Sequence, residues 1–163
     1  MKTILKVSAF SLIALASDFA AAVQNTTQNV VLVTLDGVRW QEVFSGAHNS
    51  PAKRQQLLMP FITQIVAKQG IIMGNREQGS NMSVSNPWYF SYPGYNEILS
   101  GEVDEGINSN NKIPNPNHTI LERLERQPAF KNNTALFGSW DVFPSILNTE
   151  RSKVYVNAGF MPI

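Results

Sequence analysis

Val30-Val31-Leu32-Val33-Thr34-Leu35 is an unbroken run of β-branched and apolar residues. A strand with one face in water alternates apolar and polar side chains. A run without alternation requires cover on both faces, which is the mark of a strand inside a parallel sheet. Three shorter segments are read as further strands: Ile71-Ile72-Met73, Thr134 to Gly138, and Val154-Tyr155-Val156. Helical patterns separate them. Leu58, Phe61, Ile62, Ile65 and Val66 form a helical stripe, with Pro60 near its start and Gly70 just past its end. Thr119-Ile120-Leu121-Glu122 is a capping box that opens a helix to about Gln127. Glu122 and Arg126 lie one turn apart in it, and Pro128 stops it. Asp141 to Leu147 reads as a short helix capped by Ser139 or Asp141. Strands alternating with helices predict an α/β fold built on a layered sheet. At 163 residues, 43% of them hydrophobic, the chain can bury one core.

Residues 1–22 read as a secretory signal, which leaves 23–163 as the domain. Lys2 and Lys6 supply the positive start, Val7 to Ala16 the apolar centre, and Ala20-Ala21-Ala22 the cleavage site. The apolar centre is too short to span a bilayer, so no membrane anchor is expected after cleavage. The expected location is the periplasm or the extracellular medium. Loss of Lys2, Lys6 and Asp18 lowers the 13 basic and 12 acidic residues to 11 of each, and the mature chain is formally neutral. No basic face is evident, which argues against binding a nucleic-acid polymer. The absence of cysteine excludes thiolate metal sites and cysteine nucleophiles. The sequence leaves the oligomeric state open.

The first strand runs into Asp36-Gly37, which places Asp36 at a strand's carboxyl end. In open α/β sheets ligands bind at that edge. A long stretch rich in Gly, Ser and Asn, Arg76 to Phe90, then delivers Ser91 to the start of a helix in which Pro93 occupies the first turn. Ile98 and Leu99 are expected to face the core, and Asn96 and Glu97 to face away. At a helix start a serine is either a cap or a nucleophile favoured by unpaired N–H groups. Asp36 and Ser91 at one sheet edge could share a cation that lowers the serine pKa.

These residues resemble a known family. Val31-Leu32-Val33-Thr34-Leu35-Asp36-Gly37-Val38-Arg39 is similar to the first metal-binding motif of the alkaline phosphatase superfamily, in particular its type I phosphodiesterase and nucleotide pyrophosphatase branch. Ser91-Tyr92-Pro93-Gly94-Tyr95, then Ser100-Gly101, resembles that branch's Thr-Phe-Pro-Asn-His-Tyr, then Thr-Gly. Gly106-Ile107-Asn108-Ser109-Asn110-Asn111 resembles its His-Gly-Ile-x-x-Asn. The likeness spans about Val30 to Asn111, half of the chain.

The resemblance implies an alkaline-phosphatase-like α/β/α fold and a metal-dependent phosphoric ester hydrolase acting on a small phosphate ester. Ser91 is then the nucleophile that forms a phospho-enzyme, and Asn110, with Asn111 as the alternative, the donor to a phosphoryl oxygen. Asp36 and Ser91 are ligands of a pair of divalent metals, zinc by preference.

The family's remaining Asp and His ligands have no counterpart here. His48 and His118 are the two histidines, and neither falls on a ligand position. The chain is therefore expected to be the amino-terminal part of a longer enzyme or a truncated product, inactive alone. Glu97, Glu102, Asp104 and Glu105 read as a solvated acidic face. Trp88, Tyr89, Phe90, Tyr92 and Tyr95 read as packing around the serine, with stacking on an aromatic leaving group as the alternative. Arg39 either meets a phosphate or forms a structural ion pair. The rival readings are a sulfatase, a phosphotransferase and a non-catalytic exported binding module. The sulfatase signal is broken, because Tyr95 stands where its modification motif needs Arg.

Overall fold

Ile146 and Leu147 are fully buried, and the core is assembled around them. A computed structural model of the chain describes residues 27–46 and 57–159. The expected signal segment and His48 lie outside the described residues. The chain divides into two units, Met1–Thr34 and Leu35–Ile163.

The elements all fall in the second unit. They run α1 (Trp40–Phe44), a π-helical turn (Ile62–Val66) that continues as α2 (Ala67–Gln69), a 3₁₀ turn (Arg76–Gln78), α3 (Ser91–Ser100), α4 (Ile120–Glu125), β1 (Ala135–Phe137), α5 (Phe143–Ile146), α6 (Thr149–Ser152) and β2 (Tyr155–Asn157). β1 and β2 pair in parallel, with Ala135 opposite Tyr155 and Phe137 opposite Asn157. The ladder extends to the Gly138 N–H, which donates to the Asn157 carbonyl at 2.8 Å. Parallel strands need a crossover, and α5 and α6 supply it.

The period of two along β2 covers one face. Val154 and Val156 are buried with α3 and α5, whereas Tyr155 and Phe137 stack on the exposed face, their ring centroids 5.9 Å apart. Gly138 follows from this packing: a Cβ there would stand 2.4 Å from the Phe143 ring.

α3 buries Tyr92, Tyr95, Asn96 and Leu99, spaced i, i+3, i+4, i+7 as one helical face. This corrects the expected orientation, because Ile98 is exposed and Asn96 is inside. The buried amide is tolerated because both its arms are used: Nδ2 donates to the Glu102 carbonyl at 2.9 Å, and Oδ1 accepts from the side-chain amides of Asn115 and Asn117, each at 3.1 Å. Gly101, at φ 79°, closes the helix by donating its N–H to the Glu97 carbonyl.

Four further expectations are corrected. Val30–Leu35 is irregular, with side chains from 59% (Leu35) to 85% (Val30) exposed. Among the described residues it forms no strand ladder, and an apolar run without a ladder is not a strand. The same holds for Ile71–Met73. The stripe from Phe61 to Val66 is helical, but Phe61, Ile62, Ile65 and Val66 stay exposed. The residue before α5 is Val142, not Ser139 or Asp141, and no side-chain bond caps that helix. Asp141 instead pairs with Lys112. The sheet of the described residues is thus two-stranded and parallel, narrower than the layered sheet expected.

Candidate functional site

Ser91 is the first residue of α3 and not its cap. Phe90 holds the cap position in extended backbone, and no side chain bonds there. The first ladder bond runs from the Gly94 N–H to the Phe90 carbonyl at 3.2 Å. Pro93 sits in the first turn, where its missing N–H costs nothing. Among the described residues nothing bonds the Ser91 hydroxyl or its backbone N–H. Two donors are therefore presented at the positive end of the helix.

Asn110 lies against the same turn. Its Oδ1 accepts the Tyr92 N–H at 2.9 Å. The amide's other arm, Nδ2, has no partner among the described residues. Asn111 bonds through its backbone N–H, to Ser109 Oγ at 3.4 Å, so of the two candidates it is Asn110 that reaches α3. The chain is folded to bring it there. Asp104 accepts from the Gly106 N–H at 2.8 Å and from Asn117 Nδ2 at 2.7 Å. Asn115, fully buried, donates to Asn96 and to the Ile146 carbonyl. Asp104 and Asn115 thus pin a stretch whose Glu102 and Glu105 remain exposed, as expected of a solvated face.

Tyr92 fixes the far side of that stretch. Its ring is buried and its hydroxyl donates to the Ile113 carbonyl at 2.7 Å. Burial, with a smaller contribution from the Asp104 charge, pushes the phenol up to about 12. A cavity of about 220 Å³ opens beside it, between Ile107, Ile113 and Pro116.

Glu97, on α3, holds the loop that delivers the serine. Its carboxylate accepts from the Ser85 N–H at 2.6 Å, the Asn86 N–H at 3.1 Å and Asn86 Nδ2 at 2.9 Å. Asn86 Oδ1 in turn accepts the N–H groups of Trp88 and Tyr89, both at 3.2 Å. Tyr89 sits at φ 53°, in the left-handed region, and is 79% exposed. Such a residue costs about 1–3 kcal/mol. The bonds that reach the turn are those from the Trp88 and Tyr89 N–H groups to Asn86, and Glu97 fixes Asn86 in place. Burial raises the Glu97 pKa, but the bonds from Asn86 and Ser85 outweigh it and hold the group below the usual carboxylate value.

The remaining candidates resolve as follows. Asp36 is exposed in a turn closed by Gly37 at φ 72°; it does not end a strand. No hydrogen bond or ion pair among the described residues joins it to α3. Arg39 is committed to Glu42, with Nη2 to Oε1 at 2.6 Å and its own N–H to Oε2 at 3.0 Å. Tyr95 packs edge-on to Phe143 at 5.0 Å and Trp140 packs on the same ring at 5.9 Å, so both serve the core. His118 Nδ1 lies 3.0 Å from Glu122 Oε1, the local role expected of it.

Glu122 itself was not legible as a hub. Fully buried, it also takes Arg126 at 2.7 Å and Arg151 at 2.8 Å. Arg151 spends its other N–H groups on the carbonyls of Asn115, Pro116 and Asn117. The capping-box spacing marked Glu122, but nothing in the sequence marked Arg151.

The donor set does not fit the metal pair that the resemblance implies. Among the described residues no group of three or more His, Asp or Glu side chains could hold a metal ion, and zinc normally takes at least three protein ligands. Likewise, among the described residues no helix is long and apolar enough to cross a membrane. Comparison with protein-family models, with curated proteins and with solved structures gives no match.

Proposed function

We propose that the start of α3 is the anion-binding and nucleophile portion of a phosphoric ester hydrolase site of the alkaline phosphatase type. The observation that supports this reading is the 2.9 Å bond from the Tyr92 N–H to Asn110 Oδ1, which turns Asn110 Nδ2 into a spare donor beside Ser91. Ser91 N–H and Asn110 Nδ2 then bind two non-bridging oxygens of a small phosphate ester, as preorganised donors. The Ser91 hydroxyl is the group that attacks phosphorus in line, forming a phosphoserine and expelling the alcohol.

The proposal keeps the pair of divalent metals, zinc by preference, with Asp36 and Ser91 as contributors. No step is assigned to them, because the described donors are too few. No carboxylate or imidazole among the described residues is bonded to the Ser91 hydroxyl, so the described residues show no base for it. The layered α/β/α domain and export to the periplasm or medium belong to the same proposal. Tyr95, buried against Phe143, weakens the sulfatase alternative further, because the position is committed to the core. The test is a phosphate titration of the isotope-labelled chain, read at the Ser91 amide and the Asn110 side chain.

A further inference from the structure

We infer that Glu97 is a positioning residue for Ser91, acting through Asn86 and the left-handed Tyr89. The inference rests on the reading of Ser91 as the nucleophile, but its geometry stands apart from that reading.

Glu97 sits on α3 itself, on the same rigid element as Ser91. Its carboxylate grips the loop that feeds the helix at three points, the N–H groups of Ser85 and Asn86 and the Asn86 side chain. Asn86 is buried and passes the constraint on, because its Oδ1 holds the N–H groups of Trp88 and Tyr89. Tyr89 adopts φ 53°, which a residue with a Cβ enters only under constraint. One residue later the chain is extended at Phe90, and then Ser91 begins the helix. The direction in which Ser91 enters α3 is therefore set by a closed circuit from Glu97 to Asn86 to Tyr89 and back along the chain to the helix.

No other described contact explains the left-handed turn. The Tyr89 side chain is largely in water, so packing does not hold it. The carboxylate is suited to the task. It accepts all three donors at once, whereas a glutamine in its place would bring one oxygen and a donor that faces other donors. The circuit predicts that Asn86 and Glu97 act as one unit, and that their loss reaches Ser91 although neither touches it.

The experiment uses the isotope-labelled 163-residue chain and its E97A, N86A and E97A/N86A variants, with inorganic phosphate as the probe. Three signals are read: the HN–Hα coupling of Tyr89, the Ser91 and Tyr92 amide positions, and the phosphate response of those amides. Either single variant is expected to abolish the positive-φ coupling at Tyr89, displace the Ser91 amide and weaken the phosphate response by about twofold to a hundredfold, the range for residues in one network. The double variant is expected to add nothing to either single one. Methyl signals of Ile146 and Leu147 report that the core is kept. If E97A unfolds the chain, Y89P forces a negative φ with Glu97 intact and must displace Ser91 in the same way.

A Tyr89 coupling and Ser91 amide unchanged in E97A, or a Ser91 amide unchanged in Y89P, overturns the inference, as do additive effects in the double variant. A wild-type chain that ignores phosphate, while E97A still moves Tyr89 and Ser91, supports the circuit and contradicts the phosphate-ester reading. The two failures are thereby distinguished.

Discussion

The Tyr92 backbone N–H donates to Asn110 Oδ1 across 2.9 Å, joining the first turn of α3 to a polar segment eighteen residues later. One bond does two things. It satisfies an N–H that the helix cannot, and it orients a side-chain amide so that its donor arm stays available beside Ser91. Removing that side chain should leave Tyr92 without its partner and the serine without its neighbour. Asn110→Ala is expected to weaken inorganic phosphate binding at the Ser91 amide about tenfold, near the value of one hydrogen bond to a charged group. Amide chemical shifts during a phosphate titration check this.

Glu122 and Arg151 form the other decisive pair. The carboxylate is fully buried and the guanidinium bridges it to three carbonyls of the segment that carries Asn115. Taking Arg151 away leaves the buried carboxylate with only the half-exposed Arg126 and His118 and strips three carbonyls of their donor, a loss on the order of the 3–5 kcal/mol of a broken buried pair. Arg151→Ala should therefore lower stability by that amount in denaturant unfolding, more than any exposed ion pair such as Lys112–Asp141.

The same group gives the chain an acid limit. Burial raises the Glu122 pKa, but the bonds and charges of Arg151 and His118 outweigh it and hold the carboxylate below its usual value. Glu97 is shifted in the same direction. A depressed folded pKa means that the unfolded chain binds protons first as pH falls. The stabilisation is complete above the ordinary carboxylate pKa and is lost as pH drops through the folded value. Thermal midpoints should be flat near pH 7 and fall steeply below about pH 4. Glu122→Gln should start lower and fall less.

Leu147 tests where the core lies. It is fully buried among α5, β2 and α3. Leu147→Ala should cost about 2–5 kcal/mol, whereas Ile71→Ala, at an exposed position, should fall within about 0.5 kcal/mol of the parent. Unfolding in urea separates the two.

The legible part of the fold was the local part. The Thr119 cap and the Glu122–Arg126 pair lie within one turn and both form, although of the capping box only the Thr119 half is made, the Glu122 carboxylate going to the cations instead. β1 and β2 also form, because their crossover is short and α5 within it buries Phe143 and Ile146 on the spot. Val30–Leu35 shows the limit. Its composition demands cover on two faces, but composition does not say which segment supplies it, and among the described residues none does. At the site, the spacing of Ser91 and Asn110 was readable, and the structure brings them to one helix turn. Asp36 was read from the strand before it, and its placement at a sheet edge went with that strand. Glu97 and Arg151 were missed because many of their partners are backbone groups and their side-chain partners, Asn86 and Glu122, lie 11 and 29 residues away, beyond any local pattern.

Activity provides a further prediction. Among the described residues no group of side chains could hold a metal ion and no carboxylate or imidazole bonds the Ser91 hydroxyl, so the 163-residue chain is expected to turn over no aryl phosphate ester, with or without added zinc. Robust zinc-dependent release of the alcohol by the purified chain would contradict this.

The central claim is that Ser91 and Asn110 together form an anion site. The most direct measurement is a titration of the isotope-labelled chain with inorganic phosphate, following the Ser91 backbone amide and the Asn110 side-chain amide. The account predicts that both move along one saturating curve, that Ser91→Ala keeps the backbone response, and that Asn110→Ala weakens it. Phosphate that moves neither signal, or that moves other amides and leaves these two in place, contradicts the account.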